Sequence, residues 1–169
     1  LNSKAPEVLF IEACYNFLKP GGKMAIVLPD GILGNPNTEE VRLWILKHFK
    51  LIASVDLPVE TFLPQVGVQA SLLFLQKKTD EEMLIPIESE DYDVFMAIVE
   101  QVGKDRRGVP VYERDEDGAE ILFPHVKRWL AYNEFGREVV RSRNERIKRL
   151  ADDLPKVTEE YRKFRFDKL

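Results

Sequence analysis

The sequence predicts an α/β fold whose sheet carries one reversed strand near its edge, followed by a helix-rich extension with a β-hairpin. Three observations carry this reading. Residues 6–76 run helix, strand, helix, strand, strand. Two strands joined by a helix should be parallel through a right-handed crossover, whereas the short connection between the second and third favours antiparallel pairing. The charged, turn-like stretch from Lys77 to Glu82 then separates this rhythm from a different one. It places a boundary near residue 79 and divides the chain into 1–78 and 79–169.

Each element has its own signal. Pro6-Glu7 suits a helix first turn, and Val8, Leu9, Phe10, Ile11, Cys14, Tyr15, Phe17 and Leu18 make that helix apolar around much of its circumference. Pro20-Gly21-Gly22 ends it, and Met24 to Leu28 reads as a strand covered on both faces. Asn37 and Glu40 stand at capping-box spacing before an amphipathic helix through Val41, Leu43, Trp44, Leu46 and Phe49. Leu51 to Leu57 and Ala70 to Gln76 read as the second and third strands, joined by the turn-rich ETFLPQVGVQ. In the extension, Tyr92, Phe95, Met96, Ile98, Val99 and Val102 suggest an amphipathic helix stopped at Gly103. Two β-type runs flank Asp115-Glu-Asp-Gly118, a hairpin signal. From Lys127 onward the preference is helical, with Gly136 and Pro155 as interruptions and a frayed end from Phe164 to Leu169.

With 169 residues, 44% hydrophobic and 32% charged, the chain should fold around one ordinary core or two small ones. No apolar run has membrane-spanning length, and no secretory leader pattern is visible, so a cytoplasmic location and no membrane partner are expected. The single Cys14 sits in an apolar run and suits a reducing compartment. A net charge of −4 argues against nucleic-acid binding over the whole surface. Local basic runs exist nonetheless: residues 137–149 carry six basic and two acidic side chains, and Lys104 to Arg107 adds a smaller cluster. A solvated helix face is the commoner explanation of such runs.

The chemistry is marked by what is missing. No Gly-rich phosphate loop follows a strand, no Cys/His pattern has metal-ligand spacing, and no Ser-His-Asp set assembles. The carboxylates are numerous and scattered, so no catalytic residue and no metal site is marked by the residues themselves. His48 lies near a predicted helix end and His125 follows Phe123-Pro124, positions that suit structural imidazoles.

The order of several segments does point to a family. Phe10-Ile-Glu-Ala, Leu18-Lys-Pro-Gly-Gly-Lys-Met-Ala-Ile-Val-Leu-Pro29, Val41-Arg-Leu-Trp-Ile-Leu46, Thr61-Phe-Leu-Pro-Gln65 and Val68-Gln-Ala-Ser-Leu-Leu-Phe-Leu-Gln-Lys77 resemble the second half of amino-group adenine DNA methyltransferases. Tyr92 to Ile98, Gly103 to Gly108 and Asp152 to Pro155 are similar to the modification subunit of type I restriction-modification systems. The likeness covers nearly the whole chain.

That resemblance implies the C-terminal half of a Rossmann-like sheet with one antiparallel strand, S-adenosylmethionine as methyl donor, and an adenine extruded from DNA. It also implies that the donor-binding Gly-rich loop and the Asn-Pro-Pro-Tyr/Phe turn would stand before Leu1, so the chain is expected to be a C-terminal fragment. Alone, it should neither transfer methyl groups nor bind the donor tightly. Alignment and polarisation of the target nitrogen supply most of the rate in such sites, and the turn that provides them is absent.

By the same resemblance Phe10 lines the donor pocket, Phe62 stacks on the extruded base, and Pro29 and Asp30 border the pocket; the local basic cluster, not the resemblance, makes Arg106 and Arg107 candidate DNA contacts. Aromatic stacking suits the base because its face is large, flat and apolar. Implied partners are DNA and the specificity and restriction subunits. The apolar strand from Met24 to Leu28 presents an edge through which the chain is expected to self-associate, unless its own helical tail from Lys127 onward covers it. The alternative class is a non-catalytic protein- or RNA-interaction module in which the residues after Lys127 dock a partner.

Overall fold

The structure, a computed structural model, describes residues 5–166. Helix α1 (Pro6–Phe17) opens on Pro6 and Glu7, and buries Val8 and Ile11. After the turn at Gly21, strand β1 (Lys23–Pro29) leads into the single turn α2 (Asp30–Gly34). Helix α3 (Glu39–His48) then runs directly into strand β2 (Phe49–Leu57). Strand β3 (Ala70–Lys77) returns antiparallel to both β1 and β2. The sheet order is β1-β3-β2-β4, with β4 (Phe95–Ile98) added parallel to β2. This is the mixed α/β sheet with one reversed strand that the sequence predicts. The reversed strand, however, lies inside the sheet, because β3 inserts between β1 and β2 and pairs with both.

One face of the sheet is covered by α1, α2 and α3. Val8, Ile11, Leu28, Ile32, Val41, Ile45, Phe49, Leu73 and Leu75 form a single buried cluster there, each such side chain contributing about 1.5–3 kcal/mol on burial. A bulge between Leu51 and Ala53 shifts the register of β2 against β3. An extra residue reverses which side chains face which way, so Phe49 points into the helical layer while Val55 and Leu57 point to the opposite face. There they meet Val99, with Phe62, Leu72, Ala97, Val102 and Val157 packed around them. Val157 belongs to α4 (Leu154–Phe166), whose Tyr161 and Phe164 rings lie 5.3 and 5.5 Å from the Phe95 ring.

Three local expectations are corrected. Residues 92–102 are not a helix: Phe95 to Ile98 is a strand, because β2 offers a free edge and four apolar residues are too short a run to decide between the two periods. Its Met96 and Ile98 stay exposed. The region after Lys127 is not helical until Leu154. Instead β5 (Leu122–Tyr132) and β6 (Glu138–Lys148) form a two-stranded antiparallel ribbon. The basic run of residues 137–149 is thus mostly strand. Gly136, expected to interrupt a helix, is the turn glycine of this ribbon at φ +68°, and Pro155 sits in the first turn of α4, where a missing N–H costs nothing. Finally, α3 begins without the capping box. Thr38 precedes it, and its hydroxyl donates to the Asn35 and Gly31 carbonyls rather than receiving a helix N–H. The predicted frayed end falls partly on residues 167–169, outside the described residues.

Candidate functional site

β1 and β2 end level with each other. Pro29 and Leu57 both pair with Ala70, and Leu28 and Asp56 both pair with Ser71. The segments leaving these strands therefore emerge at the same edge, separated by one intervening strand, about 10 Å apart. Carboxyl ends of parallel strands are where open α/β sheets place their ligands.

On the helical-layer side, Asp30 follows Pro29 as the first residue of α2. Its N–H donates to the Gln69 carbonyl at 3.1 Å, and its Oδ1 accepts from the buried Ser71 hydroxyl at 3.2 Å. The loop beyond is pinned by Arg42, whose Nη1 donates to the carbonyls of Ile32 (3.3 Å) and Asn35 (2.8 Å). Asp30 is thus held as a turn residue, which fixes the exit of β1. Asp56, across the sheet from Ser71, has a buried Oδ1 without a hydrogen-bond partner among the described residues. An unsatisfied buried acceptor costs about 1–3 kcal/mol. Sequence reading did not single out Asp56; the signal was a lone carboxylate at the end of the apolar run Leu51 to Leu57.

On the other side, β2 runs through Pro58 into a single 3₁₀ turn, Val59–Thr61, and then Phe62. The Phe62 ring is half-buried, resting on the Val55, Leu57 and Val99 cluster. The loop from Gly103 to Gly108 clasps this turn from outside. Arg106 Nε donates to Glu60 Oε1 at 3.0 Å, and Lys104 Nζ donates to the Leu63 carbonyl at 3.0 Å. The Arg106 bond, helped by a backbone N–H, holds the Glu60 carboxyl below its ordinary range. Arg106 uses only Nε in this clasp and is otherwise exposed. Arg107 instead folds back on Asp105, whose carboxyl is lowered chiefly by the Val109 N–H and then by Arg107. Glu60, Gln101, Lys104, Asp105 and Arg106 line a groove of about 300 Å³.

The structure brings Phe62 and Arg106 together, and Pro29 and Asp30 to the same sheet edge. Phe10 stands apart. It is 67% exposed on α1, beside exposed Leu9, and is not part of the core. Arg107 joins the loop but not the clasp. His48 is structural: its Nδ1 lies 2.8 Å from the Trp44 carbonyl, and its ring stacks on Trp44 and meets Tyr15 edge-on. Cys14 is half-buried on α1.

The sequence model of the N-6 DNA methylase family matches residues 1–108. This chain belongs to that family. The match spans α1 through the Arg106 clasp, so every candidate site residue lies inside the family region. Two solved structures are similar over part of the chain. A protein described as a class I S-adenosylmethionine-dependent methyltransferase from Listeria monocytogenes is 26% identical over 54% of this chain, with a TM-score of 0.42. A chain from a type I restriction-modification system is 34% identical over 46%, also with a TM-score of 0.42. This N-6 methylase chain spans 26% and 16% of the length of those two chains.

A nucleoside-bearing donor such as S-adenosylmethionine needs a cradle of backbone N–H groups and an enclosed wall for its base. The described residues do not form one. No Gly-rich loop follows a strand, and Phe10 points from the open side of α1 without lining any of the grooves described here. What the described residues do bring together is the turn at the end of β2, with Phe62 on the second core cluster and Arg106 bonded to Glu60.

Proposed function

We propose that this chain is the base-capturing part of an adenine-N6 DNA methyltransferase, the modification subunit of a type I restriction-modification system. In this reading the donor loop and the Asn-Pro-Pro-Tyr/Phe turn belong to a longer parent protein. S-adenosylmethionine is the parent's cofactor, and the chain alone is inactive. Residues 1–78 supply three strands of the sheet and the Phe62 turn, and residues 79–169, the family-specific extension, add β4 and the Lys104–Arg106 clasp. Specificity and restriction subunits complete the assembly, in the cytoplasm. No described helix is long and apolar enough to cross a membrane.

The observation that carries the reading is the Phe62 turn at the end of β2, level with the Pro29–Asp30 exit of β1 and clasped by Arg106 through Glu60. Phe62 stacks on an adenine turned out of the duplex, and stacking offsets part of the unstacking cost. Arg106 sits where the flanking phosphates pass. Phe10 offers its exposed ring as one wall of the donor pocket once the rest of that pocket is supplied. The described residues perform no proton transfer; their work is to receive and hold the base.

The test uses the complete enzyme and a duplex with 2-aminopurine opposite an abasic site, so that the probe base is already weakly stacked and no recognition sequence need be known. Phe62→Ala should weaken capture about 5- to 150-fold, the loss of one base–aromatic stack at roughly 1–3 kcal/mol. Phe62→Trp should restore it. Because the ring also rests on the second core cluster, melting is followed alongside. Unchanged capture in a folded Phe62→Ala enzyme refutes the assignment. For the chain alone, calorimetry should find no saturable heat with micromolar S-adenosylmethionine.

A further inference from the structure

The β5–β6 ribbon lies beyond the family-matched residues and is explained by nothing at the Phe62 turn. Residues 122–149 carry eight Lys or Arg side chains and three Glu, a charge of +5 in a chain whose total is −4. The rest of the protein is therefore acidic, at −9. Among the described residues the ribbon pairs with no other strand, and most of both its faces is exposed. On one face Lys127 stands directly opposite Arg143, with Arg141 next along the same strand opposite Trp129. Like charges directly opposite are destabilising. Glu145, the only carboxylate on that face, makes no ion pair with any of the three among the described residues. Three cations are thus held together with no internal anion to neutralise them.

We infer that the β5–β6 ribbon is a duplex-DNA arm that lies along the major groove, with Lys127, Arg141 and Arg143 on the phosphates. Eleven residues per strand span about 35 Å, one turn of B-form DNA, and the major groove admits a two-stranded ribbon. The groove of duplex RNA is too deep and narrow for this. The polyanion supplies the neutralisation that the fold lacks. On the same face Trp129, opposite Arg141 and 41% exposed, gives the arm an apolar contact for thymine methyl groups. The inference rests on duplex DNA being the substrate, but it places binding energy far along the chain from Phe62.

The experiment uses the 169-residue chain and a labelled duplex of arbitrary sequence, about 20 base pairs long, with anisotropy read across a KCl series. The triple variant Lys127→Gln, Arg141→Gln, Arg143→Gln should lower the slope of log K against log [KCl] by about 2.7, at 0.9 per lost phosphate contact. It should melt no lower than the native chain, since a repulsive cluster has been removed. Duplex should also quench Trp129 fluorescence, a change absent in Trp129→Phe. A charge-matched variant, Lys19→Gln, Lys47→Gln, Lys163→Gln, should leave the slope in place. The arm is overturned if the ribbon variant binds as the native chain does, if the charge-matched variant loses as much, or if duplex RNA of the same sequence binds as tightly. It is equally overturned if the native chain binds no duplex and the ribbon is instead covered by a protein subunit. Failure of base capture at Phe62 would leave these readings unmoved, so the two proposals fail separately.

Discussion

Glu90→Ala should be among the most destabilising single changes outside the main core. Lys78 follows β3, and its side chain is only 1% exposed, with Glu90 at 8%. The Lys78 ammonium donates to the Leu46 carbonyl at 2.6 Å and to Glu90 Oε1. Removing the carboxylate leaves a buried cation with one neutral acceptor. Breaking such a pair costs about 3–5 kcal/mol, and a chain of this size loses about 2–4 °C of Tm per kcal/mol, so the melting point should fall by roughly 6–20 °C. The neighbouring pair is the internal comparison. Lys50 Nζ and Glu82 Oε1 lie 2.7 Å apart but are 39% and 32% exposed, so Glu82→Ala should cost no more than about 1 kcal/mol.

The pair also reaches the site. Glu90 anchors the segment that leads into β4, and just beyond β4 the Val99 N–H donates to the Asp56 carbonyl at 3.0 Å while its side chain supports Phe62. Glu90→Ala should therefore speed hydrogen exchange at Val99 before the main sheet opens. Differential scanning calorimetry measures the first effect and exchange mass spectrometry the second. The double variant Lys78→Met, Glu90→Leu should melt near the native chain, since apolar replacement of a buried pair is often neutral or better. A Glu90→Ala loss below about 1 kcal/mol, or a double variant as unstable as the single, would refute the reasoning.

Three further outcomes are expected. The Glu60 carboxyl is held below its ordinary value, so the Arg106 clasp is fully formed above about pH 4.5 and is lost as pH falls through the lower folded value; amide shifts of residues 59–62 should follow that acid transition, and Arg106→Gln should move its midpoint up toward the ordinary carboxylate range. Gly103 has φ +72°, and a Cβ there would lie 2.9 Å from Leu150 Cβ, so Gly103→Ala should destabilise by more than about 1 kcal/mol, seen in a urea midpoint. The β1 edge is unpaired among the described residues; if the chain self-associates through it, outward amides of residues 24–28 gain protection with protein concentration, and concentration-independent fast exchange would exclude that contact.

How far the sequence could be read follows from the range of the forces involved. The elements from Pro6 to Lys77 were legible because each period is long enough to be unambiguous and each partner lies close in the chain. β4 was not, since its four apolar residues become a strand only when β2 presents an edge. Arg106 and Phe62 were legible as separate residues, but the bond from Arg106 to Glu60 spans 46 positions and has no local signature. Asp56 was missed for a related reason: its burial depends on the bulge between Leu51 and Ala53.

The ribbon is the opposite case, a local signal that was present and only partly used. Asp105, Asp115 and Asn133 each begin the same turn, in DRRG, DEDG and NEFG. In all three the side-chain Oδ1 accepts the N–H groups two and four residues on, and the fourth residue is a glycine at positive φ. A glycine tolerates that conformation where other residues are strained. Only DEDG was read as a hairpin, because the Arg and Glu around NEFG favour helices when weighed one by one. A turn of this kind sets the register of two strands without a hydrophobic core. The ribbon can therefore be specified locally while most of its side chains remain exposed, and since a lone two-stranded ribbon is marginal in water, the contacts at its base, where Lys148 bonds Glu120 and lies over the Tyr112 ring, hold it against the rest of the chain.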